Sequence, residues 1–300
     1  MKVIIDTDPG HDDAMAIMLA CMSPELDVLA LTTVCGNSTI ENTTRNARFI
    51  MEFLDKTDIP IFSGASKPLR KELVQATVHG TSGLQGIDPQ NASNLTDDAV
   101  EQILNLITNE PDPITLITLG PLTNIAAAIQ RAPSVMAKLE RIVIMGGAIN
   151  VPGNQTSTAE FNMFADPDAA DIVLMSAIPK LIVPLDACNG VRLQLSDIED
   201  IKDERTKHLL KTMLQPYIQN IALDTGINAA IMYDPAAVFA LLRPDMCKIR
   251  QSRLRVDTTG IKRGTTTHSK NAKRGIADIV LSIDQTSFIK CLTNTINDFY

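Results

Sequence analysis

Residues 2–13 read Lys2-Val3-Ile4-Ile5-Asp6-Thr7-Asp8-Pro9-Gly10-His11-Asp12-Asp13. Residues 2–6 form a short apolar run of the kind that makes a buried strand, Pro9-Gly10 bends the chain, and residues 12–21 continue as a helix with Ala14, Ile17, Met18 and Cys21 at helical spacing. A strand that turns directly into a helix is the building unit of an α/β fold, and the pattern repeats outward from here. Strands are expected at 28–34, 59–62, 114–119, 141–145 and 180–185, with helices at 39–54, 97–109 and 124–130 between them. Another helix is capped by Asp166 with Pro167 at its first position. The fold class is therefore α/β, an open and mainly parallel sheet flanked by helices.

The remainder fits the same plan. Residues 194–242 read as helical, 248–256 and 277–283 as strands around a basic loop at 262–274, and 286–297 as a closing helix. Two stretches, 64–95 and 150–165, lose periodicity and collect Gly, Ser, Thr, Asn and Pro, and loops of that length usually carry function. No repeat or linker divides the chain, so residues 1–300 are expected to form one domain with helical and loop insertions.

Composition excludes several classes of function. The 300 residues hold 27 Lys and Arg against 35 Asp and Glu, a net charge of -8, so there is no basic stripe for nucleic acid and no attraction to anionic lipid. No run of 18 apolar residues suggests a membrane span. Asp6 interrupts the N-terminal apolar run before a signal peptide could develop, which points to the cytoplasm. Five widely spaced cysteines without a C-x-x-C pair suggest neither a disulfide framework nor a zinc site.

Chemistry is concentrated in the opening stretch. Asp6, Asp8, Asp12 and Asp13 put four carboxylates into eight residues at the end of the first strand, with Pro9-Gly10 turning the chain so that all four are expected to converge. Like charges so crowded raise one another's pKa unless a cation offsets them. All-oxygen ligands select a hard divalent ion, Ca²⁺ or Mg²⁺. Other strand tips fall at the same edge, where open α/β sheets bind ligands: Gly36-Asn37, Leu119-Gly120-Pro121 and Met145-Gly146-Gly147. Asn154, Glu160 and Asn162 offer amides and a carboxylate suited to sugar hydroxyls, and Tyr233-Asp234-Pro235 opens a late helix.

In this order the motifs resemble the inosine-uridine-preferring nucleoside hydrolases. The segments that carry the likeness are 6–13, Gly36-Asn37, Gly120-Pro121-Leu122-Thr123-Asn124, Met145-Gly146-Gly147, Gly153-Asn154, Ala159-Glu160-Phe161-Asn162 and Asp234-Pro235. The resemblance implies hydrolysis of the N-glycosidic bond of ribonucleosides to ribose and base, with bound Ca²⁺. It makes Asp8 a general base toward a calcium-activated water and a metal ligand, joined by Asp13, Asp234 and the Leu119 carbonyl. It assigns Asp12, Asn37 and Asn162 to the 2′ and 3′ hydroxyls, Asn154 and Glu160 to the 5′ hydroxyl, and Met145 to the substrate crevice. Tyr233 stands where many members carry a His that serves the leaving base, and Tyr is the weaker acid. His79 opens a segment similar to the family's loop near the base. Together with His11 it looks most like the pyrimidine-preferring members, so uridine and cytidine are favoured, with inosine a further candidate. Family members are commonly dimers or tetramers, which implies a homo-oligomer.

Two other classes fit parts of the pattern. A Mg²⁺-dependent phosphohydrolase could use Asp6-x-Asp8, although Gly10 replaces the Thr expected there and Asn154, Glu160 and Asn162 would be idle. A nucleoside-binding protein without catalysis would follow from loss of the usual His, but Asp8 is retained. His208 in the charged segment 197–208 and His268 in the basic loop are expected to be solvated.

Overall fold

The computed structural model describes residues 1–90, 95, 96, 98–269 and 275–300. The first half alternates as expected: β1 (Lys2–Thr7), α1 (His11–Met22), β2 (Asp27–Thr33), α2 (Ile40–Phe53), β3 (Ile61–Ser63), α3 (Ala99–Asn109), β4 (Ile114–Thr118), α4 (Thr123–Arg131), the single turn α5 (Pro133–Met136) and β5 (Arg141–Met145). Then follow α6 (Phe161–Ala165), α7 (Pro167–Met175), β6 (Lys180–Val183), α8 (Leu185–Cys188), β7 (Arg192–Leu193), α9 (Glu204–Thr225), β8 (Ala230–Ile231) and α10 (Tyr233–Leu242). The chain closes with β9 (Cys247–Val256), β10 (Thr266–His268), β11 (Ile276–Ile283) and α11 (Gln285–Phe299). Residues 270–274 of the basic loop, and position 97 at the start of the expected third helix, lie outside the described residues.

Among the described residues one nine-stranded sheet runs β10-β9-β11-β6-β5-β4-β1-β2-β3. Strands β3 through β11 in that order are parallel, and β9 and β10 add antiparallel at one edge. The strand order reverses between β1 and β4, which pair in register from Lys2 with Ile114 to Asp6 with Thr118. That switch point leaves a crevice beyond the carboxyl ends of the strands.

Two helices decide what fills the crevice. α1 and α10 are apolar nearly all round and buried along their lengths, as a helix enclosed within a core must be. They pack against each other, and each begins with acidic residues: Asp12 and Asp13 in α1, Asp234 in α10. The positive end of each helix dipole favours a carboxylate there.

The sequence reading needs correction in three places. The 150–165 stretch is not irregular to its end, because Glu160 caps the short helix α6 by accepting from the Asn162 and Met163 backbone N–H groups. Residues 194–242 are not one helical region: the small antiparallel pair β7–β8 separates α9 from α10 and sets Tyr233 and Asp234 at a helix start. Short apolar runs such as 230–232 suit helix or strand equally by pattern, and the pairing partner decides. Strand β3 starts after Pro60, which lacks a ladder N–H but accepts from Leu31 N–H through its carbonyl. The cap at Asp166 is as expected, its side chain accepting from Ala169 N–H. No helix among the described residues is long and apolar enough to cross a membrane.

Candidate active site

The floor of the crevice is built around Asp13. Its Oδ1 accepts from Thr7 Oγ1 at 2.5 Å and Asp8 N–H at 3.2 Å, and its Oδ2 accepts from Gly10 N–H and Asn37 Nδ2, both at 2.9 Å. Four donors, one of them long, make Asp13 the anchor of the β1–α1 turn. Asp8 Oδ2 accepts from Asn37 N–H at 2.6 Å, while its Oδ1 is buried with no hydrogen-bond partner. Gly36 and Gly120, at the tips of β2 and β4, press on the two oxygens of Asp8 so closely that a Cβ at either would overlap them. Glycine is needed there for space.

Carboxylate oxygens of Asp12, Asp13 and Asp234 lie within 4.8 Å of one another. Asp12 Oδ1 is a second buried oxygen without a partner. Burial, reinforced by the charge of Asp13, holds the carboxyls of Asp8, Asp12 and Asp234 well above the usual carboxylate range. Asp6 does not join the group. It sits in register between Thr32 and Thr118, and its Oδ1 accepts from Thr32 Oγ1 and Asn124 Nδ2. Burial pushes Asp6 up to about 7, those two donors opposing. The expected convergence of four acids thus becomes Asp12 and Asp13 with Asp234 from a distant helix. Asp8 adjoins Asp13 through its backbone N–H, neither of those two lines the cavity above, and the strand register captures Asp6.

Above this floor opens a cavity of about 730 Å³, within the range of small-molecule sites. Asp12, Asn37, His79, Leu119, Met145, Asn154, Glu160, Asn162, Tyr233 and Asp234, ten residues singled out in the sequence, all line it. Asn162 Nδ2 donates to the Leu119 carbonyl at 2.7 Å and sits 3.3 Å from that of Met145. Glu160 accepts three backbone N–H groups, from Gly147, Asn162 and Met163, while burial raises its pKa. Asn154 Oδ1 accepts from Phe161 N–H. Burial and then the Asp12 charge hold the Tyr233 phenol above its ordinary value, so it stays a neutral donor. Asp12, Glu160, Asp224 and Asp234 line the cavity with Arg192, so acidic side chains predominate among its ionisable groups.

One wall was only partly legible. His79 is buried, its ring stacked with those of His11 and Tyr217 at centroid distances of 5.4 and 5.2 Å. His79 Nε2 lies 3.6 Å from Asp12 Oδ1. His11 Nε2 is 2.9 Å from the Gln85 carbonyl, which can only accept, so that nitrogen carries a proton. Burial takes His11 down to about 4 and His79 well below its ordinary value, so both rings are neutral and the Asp12 contact is not an ion pair. Tyr217, whose hydroxyl donates to the Ile231 carbonyl, gave no sequence signal apart from its place on α9. Asn46 was missed as well: it donates to both the Pro9 and Ser82 carbonyls, joining the acidic turn to the loop that carries His79. His208 and His268 are exposed, as expected.

Residues 3–290 match the family model described as inosine-uridine preferring nucleoside hydrolase. The chain belongs to that family. It is 36% identical over 315 aligned positions to the pyrimidine-specific ribonucleoside hydrolase RihA of Salmonella arizonae, covering 100% of this chain and 99% of that one. Its fold superposes on a plant nucleoside hydrolase with a TM-score of 0.93 at 33% identity, over 99% of this chain and 98% of the other. A purine-preferring ribonucleoside hydrolase from Gardnerella vaginalis gives 0.92 at 27% identity, over 100% and 99%. The protein is thus a nucleoside hydrolase, an N-glycosyl hydrolase of ribonucleosides, which removes the phosphohydrolase and binding-protein readings. The hydrolase has the mainly parallel, helix-flanked sheet of its structural neighbours.

Proposed function

We propose that this hydrolase cleaves pyrimidine ribonucleosides, uridine and cytidine ahead of inosine, with Ca²⁺ held at the cavity floor and Asp8 as general base. The observation that carries the reading is the floor itself: carboxylate oxygens of three acids within 4.8 Å, and two buried carboxylate oxygens, Asp8 Oδ1 and Asp12 Oδ1, without a hydrogen-bond partner. Buried polar atoms are normally paired, and an all-oxygen set of this kind suits a hard dication. Asp8, Asp13, Asp234 and the Leu119 carbonyl are the ligands in this reading. When bound, Ca²⁺ supplies positive charge that acidifies adjacent water and relieves the crowding of the carboxylates.

The residues divide the remaining work. Asp8 takes the proton of the attacking water through its free oxygen. Asp12, Asn37 and Asn162 hold the ribose 2′ and 3′ hydroxyls, Asn154 and Glu160 hold the 5′ hydroxyl, and Met145 packs against the sugar. Glycosidic cleavage develops positive charge on the ribose, and the carboxylates around the ring, ionised when the dication is in place, stabilise it as it forms. Tyr233 is a neutral hydrogen-bond donor to the leaving base, and His79 contacts the base. The pyrimidine preference rests on the likeness to RihA and on the His11 and His79 pair. All five cysteines are free thiols, which fits a reducing compartment, and we assign the enzyme to the cytoplasm as a homo-oligomer.

Incubation with uridine, cytidine and inosine, with and without chelator, followed by a reducing-sugar assay, tests this directly. Ribose release that is fastest on pyrimidines and is restored by Ca²⁺ after chelation is expected. Release indifferent to chelation would sink the metal assignment, and faster release from inosine would sink the base preference.

A further inference from the structure

The wall that carries His79 is a loop of tight turns: the Thr77, His79, Gly80 and Leu84 carbonyls take backbone N–H groups of the loop itself, and the Val78, Thr81 and Ser82 carbonyls between them need donors from outside. They find side chains of the surrounding helices. Ser38 Oγ and Asn42 Nδ2 reach the Thr81 carbonyl, and Asn46 Nδ2 reaches that of Ser82. All of these come from α2 or its start. On the opposite side Asn220, in α9, donates its amide to two acceptors at once, the Val78 carbonyl and Gln85 Oε1, both at 2.8 Å. The Gln85 carbonyl in turn receives His11 Nε2, and the Gln85 N–H donates to the His79 carbonyl.

The approach of loop to helix is close at a specific place. Pro216 lies inside α9 and has no N–H to give the Thr212 carbonyl one turn earlier. Gly86 packs against this spot at φ +96°, where a Cβ would come within 2.9 Å of the Thr212 oxygen. Val78 and His79 on the loop side, and Ile221, Asp224 and Thr225 on the helix side, line the same cavity. Asn220 immediately precedes Ile221.

We propose that Asn220 is a positioning residue that clamps the 77–87 loop to α9, so that His79 and the C-terminal turns of α9 meet the leaving base as one preorganised wall. This rests on the assignment of His79 to the base. Asn220 touches no substrate; it acts by fixing the carbonyl next to His79 and the side chain of Gln85. A wall held before the substrate arrives lowers the cost of ordering it on binding.

The test uses Asn220→Leu, which keeps the bulk and removes both donors, and Gln85→Ala, which removes one acceptor. In Asn220→Leu, amide hydrogen exchange across 77–87 should accelerate about tenfold and KM for uridine should rise about tenfold, as expected for losing roughly 1.4 kcal/mol of hydrogen bonding. Cleavage of a nitrophenyl riboside, whose activated leaving group needs no such wall, should stay within about twofold. Gln85→Ala should give a smaller effect, and the double variant should fall short of the sum. Unchanged exchange across 77–87, an unmoved KM for uridine despite faster exchange, or equal losses on both substrates overturns the proposal. The assignment beneath it has its own control: an unaltered uridine KM in His79→Ala would show that this wall does not meet the base. The exchange measurement would still decide whether Asn220 clamps the loop.

Discussion

The floor of the cavity and the wall beside it are built on opposite plans. The floor consists of strand ends and the first turns of two enclosed helices, with Asp13 taking four hydrogen bonds and glycines pressed against Asp8. Its geometry follows from the sheet and changes only if the core does. The wall is a loop whose carbonyls are pinned by Ser38, Asn42, Asn46 and Asn220. A scaffold of the first kind can carry chemistry common to a family, and one of the second kind can vary from member to member with the base it accepts. Asn46 is the hinge of the comparison, because one buried amide holds a carbonyl of each part.

The largest effect is expected on the floor. Asp8→Ala should lower kcat on uridine by about 10³-fold or more, as for loss of a general base that is also a ligand. A loss below about tenfold, measured as ribose released, would transfer the base role elsewhere.

Next is the linkage between ion and pH. Burial raises Asp6 to about 7 and Asp8, Asp12 and Asp234 well above the usual range, so the folded state holds protons that the unfolded chain gives up near pH 4. Stability contributed in this way is lost as pH rises through the raised values. His11 and His79 act with the opposite sign, but only below their ordinary value of 6.5. From 6.5 to about pH 8 the carboxyls act alone, so the melting temperature of chelated enzyme should fall as pH rises, and saturating Ca²⁺ should flatten the slope. Parallel curves with and without the ion would contradict a cation at the floor.

Asn46→Ala should cost about 1–3 kcal/mol in denaturant unfolding, because the buried Pro9 carbonyl and the half-buried Ser82 carbonyl lose their donor. It should also raise KM more than it lowers kcat if the floor keeps its shape; equal changes would mean that floor and wall are a single unit. The smallest effect is expected at Tyr233. Tyr233→Phe should slow natural nucleosides by about two- to tenfold, the value of one neutral hydrogen bond, and leave an activated riboside almost unaffected. Equal losses on both would remove Tyr233 from the leaving-group side.

How much of this the sequence revealed follows the same division. The strand and helix order through β5, the cap at Asp166 and the cluster of Asp8, Asp12 and Asp13 are local, since period, turn residues and charge spacing act over a few positions. Family motifs added Asn37, Asn162 and Asp234 at the cavity. Asp6 was misjudged because its partners, Thr32 and Asn124, are 26 and 118 residues away. Asn46, Tyr217, Gln85 and Asn220 carried no signal, for each has an ordinary residue type in an ordinary context.

By itself, then, the sequence determined an α/β chain with an acidic turn after its first strand, because hydrophobic period and carboxylate spacing are properties of adjacent residues. Only the tertiary structure decided which carboxylates meet, that Asp234 joins Asp12 and Asp13 while Asp6 is drawn to Thr32, and that a ladderless loop is held by the amides of α2 and α9. The physical reason is that buried polar atoms are satisfied by whatever donor the fold brings within 3 Å or so, and chain separation has no part in that choice.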